Sequence, residues 1–218
     1  MNTLPQKSQR AFTLIELLTV IAIIGILAGI IIPTTGAVRT AAKKAQTKSM
    51  FAQWTNAFTL YKQEYGYYPT VGTDGTDNLI STALDTEEFV ITFTGKNING
   101  TVLGTTAADV AKLNGNKRRM SFYSFSDAEL PAATSPRLID SFGNTDIGIL
   151  VDSNGDGVIK NGTGSGQDGA LAPVNPADGG APFTPSASDL PTDGVRAGVI
   201  FYTAGKDGGT SNAVMSWK

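Results

Sequence analysis

Between Phe12 and Ile32 the chain reads FTLIELLTVIAIIGILAGIII, an apolar run ending just before Pro33 and carrying a single charge, Glu16. As a helix at about 1.5 Å per residue, this run extends about 30 Å, the thickness of a bilayer's hydrocarbon core. A helix this apolar on every side has to be covered, by lipid or by other protein. The residues before it, MNTLPQKSQRA, are polar and include Lys7 and Arg10. They lack the apolar stretch that a secretory signal peptide places before its cleavage site. Their positive charge favours retention of the N-terminus in the cytoplasm and export of the rest in a single pass, a bias weakened by Arg39, Lys43, Lys44 and Lys48 beyond the run.

Glu16 is the anomaly within this run. An ionised side chain near the centre of a membrane helix costs roughly 2.5–3.5 kcal/mol, and less toward its end. Two readings stand at this point. Glu16 reaches headgroup level and water, or it meets a cation inside an apolar assembly. Pro33 removes a backbone donor and is expected to kink or loosen the helix. Gly25 and Gly29, spaced G-x-x-x-G, are compatible with close helix packing and equally with ordinary membrane-helix glycines.

The rest of the 218-residue chain is more polar, enough for one globular domain with an accessory element. There is no cysteine and no histidine, which excludes thiol nucleophiles, Ser-His-Asp catalysis and the usual zinc ligands. Glu87 and Glu88 are adjacent, so their side chains point apart and form no catalytic pair; no enzyme is expected. A net charge of −2 argues against nucleic acid as a partner. The basic cluster at 39–48 reads as a solvated or headgroup-facing side of a helix.

From 34 to 66 the pattern is amphipathic. Phe51, Trp54, Phe58, Tyr61 and Tyr65 fall on one helical face, a packing stripe for a sheet, and Gly66 followed by Pro69 ends the helix. The remainder, 67–218, forms the head. In 70–117, Glu87–Thr94 alternates well enough for a strand, yet Asp85 and Glu88 suggest a capped start to a short helix holding Phe89, Val90 and Phe93, and the helix is the preferred reading. Met120–Phe125 reads as a strand, Ile147–Val151 and Val158–Ile159 as a hairpin, and Gly198–Thr203 and Ala213–Trp217 as two more strands. The stretch 160–194 holds half of the chain's ten prolines and is either disordered or a surface feature.

Arg10-Ala11 followed by Phe12-Thr13-Leu14-Ile15-Glu16-Leu17-Leu18 and an apolar run to Pro33 closely resembles the precursors of type IV pilins and type II secretion pseudopilins. The resemblance extends to Y-G-Y-Y-P at 65–69, to Asp140-Ser141-Phe142-Gly143-Asn144 and to Asp152-Ser153-Asn154-Gly155-Asp156-Gly157-Val158-Ile159, which are similar to signatures of major pseudopilin heads. It implies an α+β type IV pilin fold, a long N-terminal helix on a small antiparallel sheet. It implies that residues 1–11 are a leader cut by a prepilin peptidase between Ala11 and Phe12, with Phe12 then N-methylated. Ala11 departs from the family's usual glycine before the cut. Glu16 would pair with the freed amine of a neighbour's Phe12 and set the assembly register. The protein would sit in the bacterial inner membrane, N-terminus cytoplasmic and head periplasmic. It would then join a homo-oligomeric pseudopilus with other pseudopilins and the assembly platform. The alternatives are a type IV or minor pilin in an adhesion or DNA-uptake filament, and an ordinary anchored or secreted protein cut after Ala37.

Calcium is the one cofactor the residues raise. Asp152, Asn154 and Asp156 follow D-x-N-x-D-G spacing, but the twelfth loop position holds Thr163 where an EF-hand needs glutamate, and the same residues make good turns. Major pseudopilins bind calcium in a C-terminal loop that Ala204-Gly205-Lys206-Asp207-Gly208-Gly209 resembles. This chain has no acidic residue after Asp207, so the resemblance implies at most a site completed from elsewhere.

Overall fold

The computed structural model describes residues 12–71, 78–105, 113, 115–131 and 135–218. The leader, with Ala11, lies outside the described residues, as does part of 70–117. Two compact units result, Met1–Ala41 and Ala42–Lys218. The long helix α1, Leu14–Tyr65, begins in the first and continues in the second.

In the first unit the large apolar side chains between Phe12 and Ile30 are all exposed, from 46% at Val20 to 81% at Leu14. No single straight helix among the described residues is long and apolar enough to cross a membrane. Leu14–Ile30 and Thr35–Tyr65 pass that test together, as a pair bent at the break that holds Pro33, where a missing amide donor loosens the ladder.

The second unit is built on the other half of α1. Of the predicted stripe, Phe51, Trp54, Phe58 and Tyr61 are buried and Tyr65 is partly buried; Ala57 is buried between them. They pack on a four-stranded antiparallel sheet of order β1 (Leu79–Ile80), β2 (Ile147–Val151), β3 (Val199–Thr203) and β4 (Val214–Met215). Phe201 of β3 stacks on Phe51 with ring centroids 5.5 Å apart and meets Trp54 edge-on at the same distance. Helix α2, Ala83–Thr94, closes one side of this core, with Phe93 4.7 Å from Phe58. It starts one turn earlier than the sequence reading placed it. Thr82 is the N-cap, accepting from Asp85 N at 3.1 Å, while Asp85 Oδ2 accepts from Thr82 N at 2.8 Å. This is a reciprocal capping box with aspartate in the usual glutamate position.

Two expected strand features differ. Ile147–Val151 and Val158–Ile159 do not form a hairpin: β2 pairs with β1 and β3, and Ile159 bridges to Val195. The turn residues between them build an acidic loop whose carboxylates bond to its own amides, which turns the chain away from β2. Met120–Phe125 is not a strand either; the amides of Phe122 and Tyr123 both donate to Phe93 O, so the segment caps the end of α2 instead of joining the sheet.

Residues 160–194 form a strap over the sheet's second face. β2 and β3 alternate strictly: Ile147, Ile149, Val199 and Phe201 face α1, while Leu150, Ile200 and Tyr202 face the strap. There Val174, Phe183 and Leu190 cover them, and Tyr202 OH donates to Ala172 O at 2.8 Å. Burial on both faces explains the unbroken apolar runs of these two strands.

Candidate functional site

The apolar start of α1 is the first candidate. Thr13 and Glu16 form the same reciprocal box that opens α2. Glu16 Oε2 accepts from Thr13 N at 2.9 Å and Thr13 Oγ1 at 2.7 Å, and Glu16 N donates to Thr13 Oγ1 at 3.3 Å. The carboxylate thus sits at the positive end of the helix dipole, satisfying donors that the first helical turn leaves open. Both side-chain bonds land on Oε2; among the described residues Oε1 takes none. Thr13 was not singled out from the sequence, although T-x-x-E ahead of an apolar run carries the signal. Phe12, the residue the resemblance places after the cut, is 73% exposed.

The lysines after the apolar run do not simply face water. Lys43 Nζ lies 5.6 Å from the centre of the Phe142 ring. Lys44 Nζ donates to Ser211 O and Lys48 Nζ to Lys218 O. This part of α1 therefore fastens the C-terminal segments of the head.

Behind these contacts lies a buried polar knot. Asp140, 2% exposed, accepts from the backbone amides of Phe142 and Asn144 at 2.8 and 2.9 Å, from Asn144 Nδ2 at 2.8 Å and from Thr203 Oγ1 at 3.0 Å. Burial raises its pKa against the pull of those bonds. Asn144 Nδ2 also donates to Gly205 O at 2.7 Å, and its Oδ1 accepts from Ala177 N at 2.7 Å. The D-x-F-G-N segment thereby ties β3, the C-terminal loop and the strap to one point. Nearby, Glu129, also buried, accepts from Trp54 Nε1, Tyr123 OH and Ser126 N, and its carbonyl accepts from Ile139 N beside Asp140.

The residues proposed for calcium are each engaged by nitrogen donors. Asp152 accepts from Gly155 N and Gly157 N at 2.8 and 3.0 Å, Asn154 Oδ1 from Asp156 N at 2.7 Å, and Asp156 from Val158 N at 2.8 Å and Lys160 Nζ at 3.2 Å. Asp207 pairs with Asn212 Nδ2, at 2.8 Å to Oδ1 and 2.9 Å to Oδ2, and with Gly209 N at 3.2 Å. Its pKa is lowered, first by the Asn212 amide and then by the Gly209 amide. Among the described residues no three acidic side chains are placed to share a metal ion.

Residues 6–32 match the family model described as the prokaryotic N-terminal methylation motif. The N-terminal segment is that of a type IV pilin-like precursor. Over 72 residues it is 36% identical to the type II secretion system core protein G of Escherichia coli (strain K12), covering 33% of this chain and 49% of that protein. Over 65 residues it is 35% identical to the type II secretion system core protein G of Klebsiella michiganensis, covering 30% and 46%. The chain thus spans about half the length of the curated relatives it matches. No solved structure matches it significantly. The long helix and small antiparallel sheet are those of a type IV pilin-like α+β fold.

Proposed function

We propose that this protein is a structural subunit of a type II secretion pseudopilus, made as an inner-membrane precursor and packed through α1 into a periplasmic filament. The observation that carries the reading is the N-terminal half of α1. Its large apolar side chains from Phe12 to Ile30 are all exposed, it lies within the methylation motif, and its one carboxylate has, among the described residues, an oxygen without a donor. An exposed apolar surface of this length marks a membrane or protein interface. A prepilin peptidase cutting between Ala11 and Phe12 would leave a cationic amine at Phe12. Glu16 Oε1 of a neighbouring subunit is the acceptor that offsets it.

At low local dielectric such a pair is strongly distance-dependent, so registers that leave either charge unpaired are disfavoured. Glu16 then acts by setting the register while Thr13 holds the other oxygen. The match to core protein G relatives supports the secretion assignment over a surface pilus.

Intact mass and N-terminal sequencing of the protein, recovered with and without a prepilin peptidase, test this reading. A chain starting at methylated Phe12 only when the peptidase is present is the expected result. Glu16→Ala is expected to be cut equally well but to give few filaments. A chain starting at Met1 in both hosts, or cut after Ala37, would overturn it.

A further inference from the structure

Residues 204–209 resemble the start of the calcium loop of major pseudopilins, and the donors that the fold brings to 204–212 do not fit calcium. Calcium takes about 6–8 oxygen ligands, usually including several carboxylates. Three of its carbonyls and its one carboxylate are already engaged by nitrogen donors. Gly205 O accepts from Asn144 Nδ2, and Gly209 O from the amides of Asn212 and Ala213. Ser211 O accepts from Lys44 Nζ, and both oxygens of Asp207, the loop's one acid, face the Asn212 amide.

The loop is also packed closely against its own backbone and the strap. A Cβ on Gly205 would lie 1.9 Å from Asn212 O, and one on Gly208 would lie 1.8 Å from Ala181 O of the strap. The loop is closed on itself through Asp207 and Asn212 and lies against the strap at Ala181.

We infer that Lys44 and Asn212 do in this chain what a divalent ion would do, clasping the C-terminal loop to α1 and to itself, so that the head folds without calcium. The lysine supplies the positive charge and the amide supplies two donors in fixed positions. Both are covalently part of the chain and are not lost to chelation.

Thermal unfolding of the full chain in detergent micelles tests this, with about 10 mM calcium or with a chelator in its place. A site with a dissociation constant of about 10⁻⁴ M would raise the midpoint by about 5–10 °C at that concentration. The expected shift is under about 1 °C, with no saturable heat on titrating calcium. A shift of several degrees, or saturable binding near one ion per chain, would overturn the inference. Asn212→Asp keeps the shape but replaces two donors by a second carboxylate, and Lys44→Met removes the cation. Each is expected to lower the midpoint by at least about 2 °C in the chelator. Midpoints equal to wild type in both variants would equally refute the clasp.

Discussion

Replacing Glu129 by glutamine changes one atom of a buried clasp, and the geometry fixes the consequence. Glu129 Oε1 accepts from Trp54 Nε1 at 3.1 Å and from Tyr123 OH at 2.5 Å. Oε2 accepts from Ser126 N at 2.9 Å and Ser126 Oγ at 2.7 Å. The indole and the backbone amide can only donate, and they address different oxygens. A glutamine has one oxygen and one NH₂, so either orientation sets its amide nitrogen against an N–H. One buried donor is then left unmet, at a cost of about 1–3 kcal/mol. For a chain of this size that lowers the melting midpoint by about 2–12 °C. Urea unfolding followed by tryptophan fluorescence reads the change, with Trp54, 1% exposed, as reporter. A Glu129→Gln variant within 0.5 kcal/mol of wild type would show that the clasp is not held by both oxygens, and the reasoning fails.

Two more outcomes follow from the head. Burial raises the Asp140 pKa above its ordinary 3.8, so the folded state holds that proton more tightly than the unfolded chain. Its contribution is largest at acid pH and is lost as pH rises through the folded value. The stability difference between wild type and Asp140→Asn should therefore widen in favour of wild type as pH falls from about 7 toward 4; a narrowing in parallel urea titrations would contradict the assignment. Gly148→Ala would put a Cβ 2.0–2.4 Å from ring atoms of Tyr202, its partner across β2 and β3. Displacing that ring costs about 1–3 kcal/mol and strains the Tyr202–Ala172 hydrogen bond, so limited proteolysis should cut 160–194 faster than in wild type.

The sequence carried the parts of this protein governed by local period and spacing. The apolar run, Glu16 within it, the aromatic stripe from Phe51 to Tyr61 and the strand at 199–203 follow from side-chain geometry on one helix or strand, which neighbours in sequence determine. The Thr13–Glu16 box was legible too, as a three-residue interval. Non-local pairing was not. Val158–Ile159 looks like the return strand of a hairpin, yet its partner is Val195, because Asp152 and Asp168 draw the intervening loop into bonds with backbone amides. The strap at 160–194 has little periodicity because its role is to cover a face made by other strands; only the unbroken apolar runs of β2 and β3 hinted that a cover existed. The C-terminal loop makes the same point. Asp207 alone in sequence suggests an incomplete ion site, and only the fold brings Lys44, 167 residues from Ser211, to where its ammonium meets that loop's carbonyl.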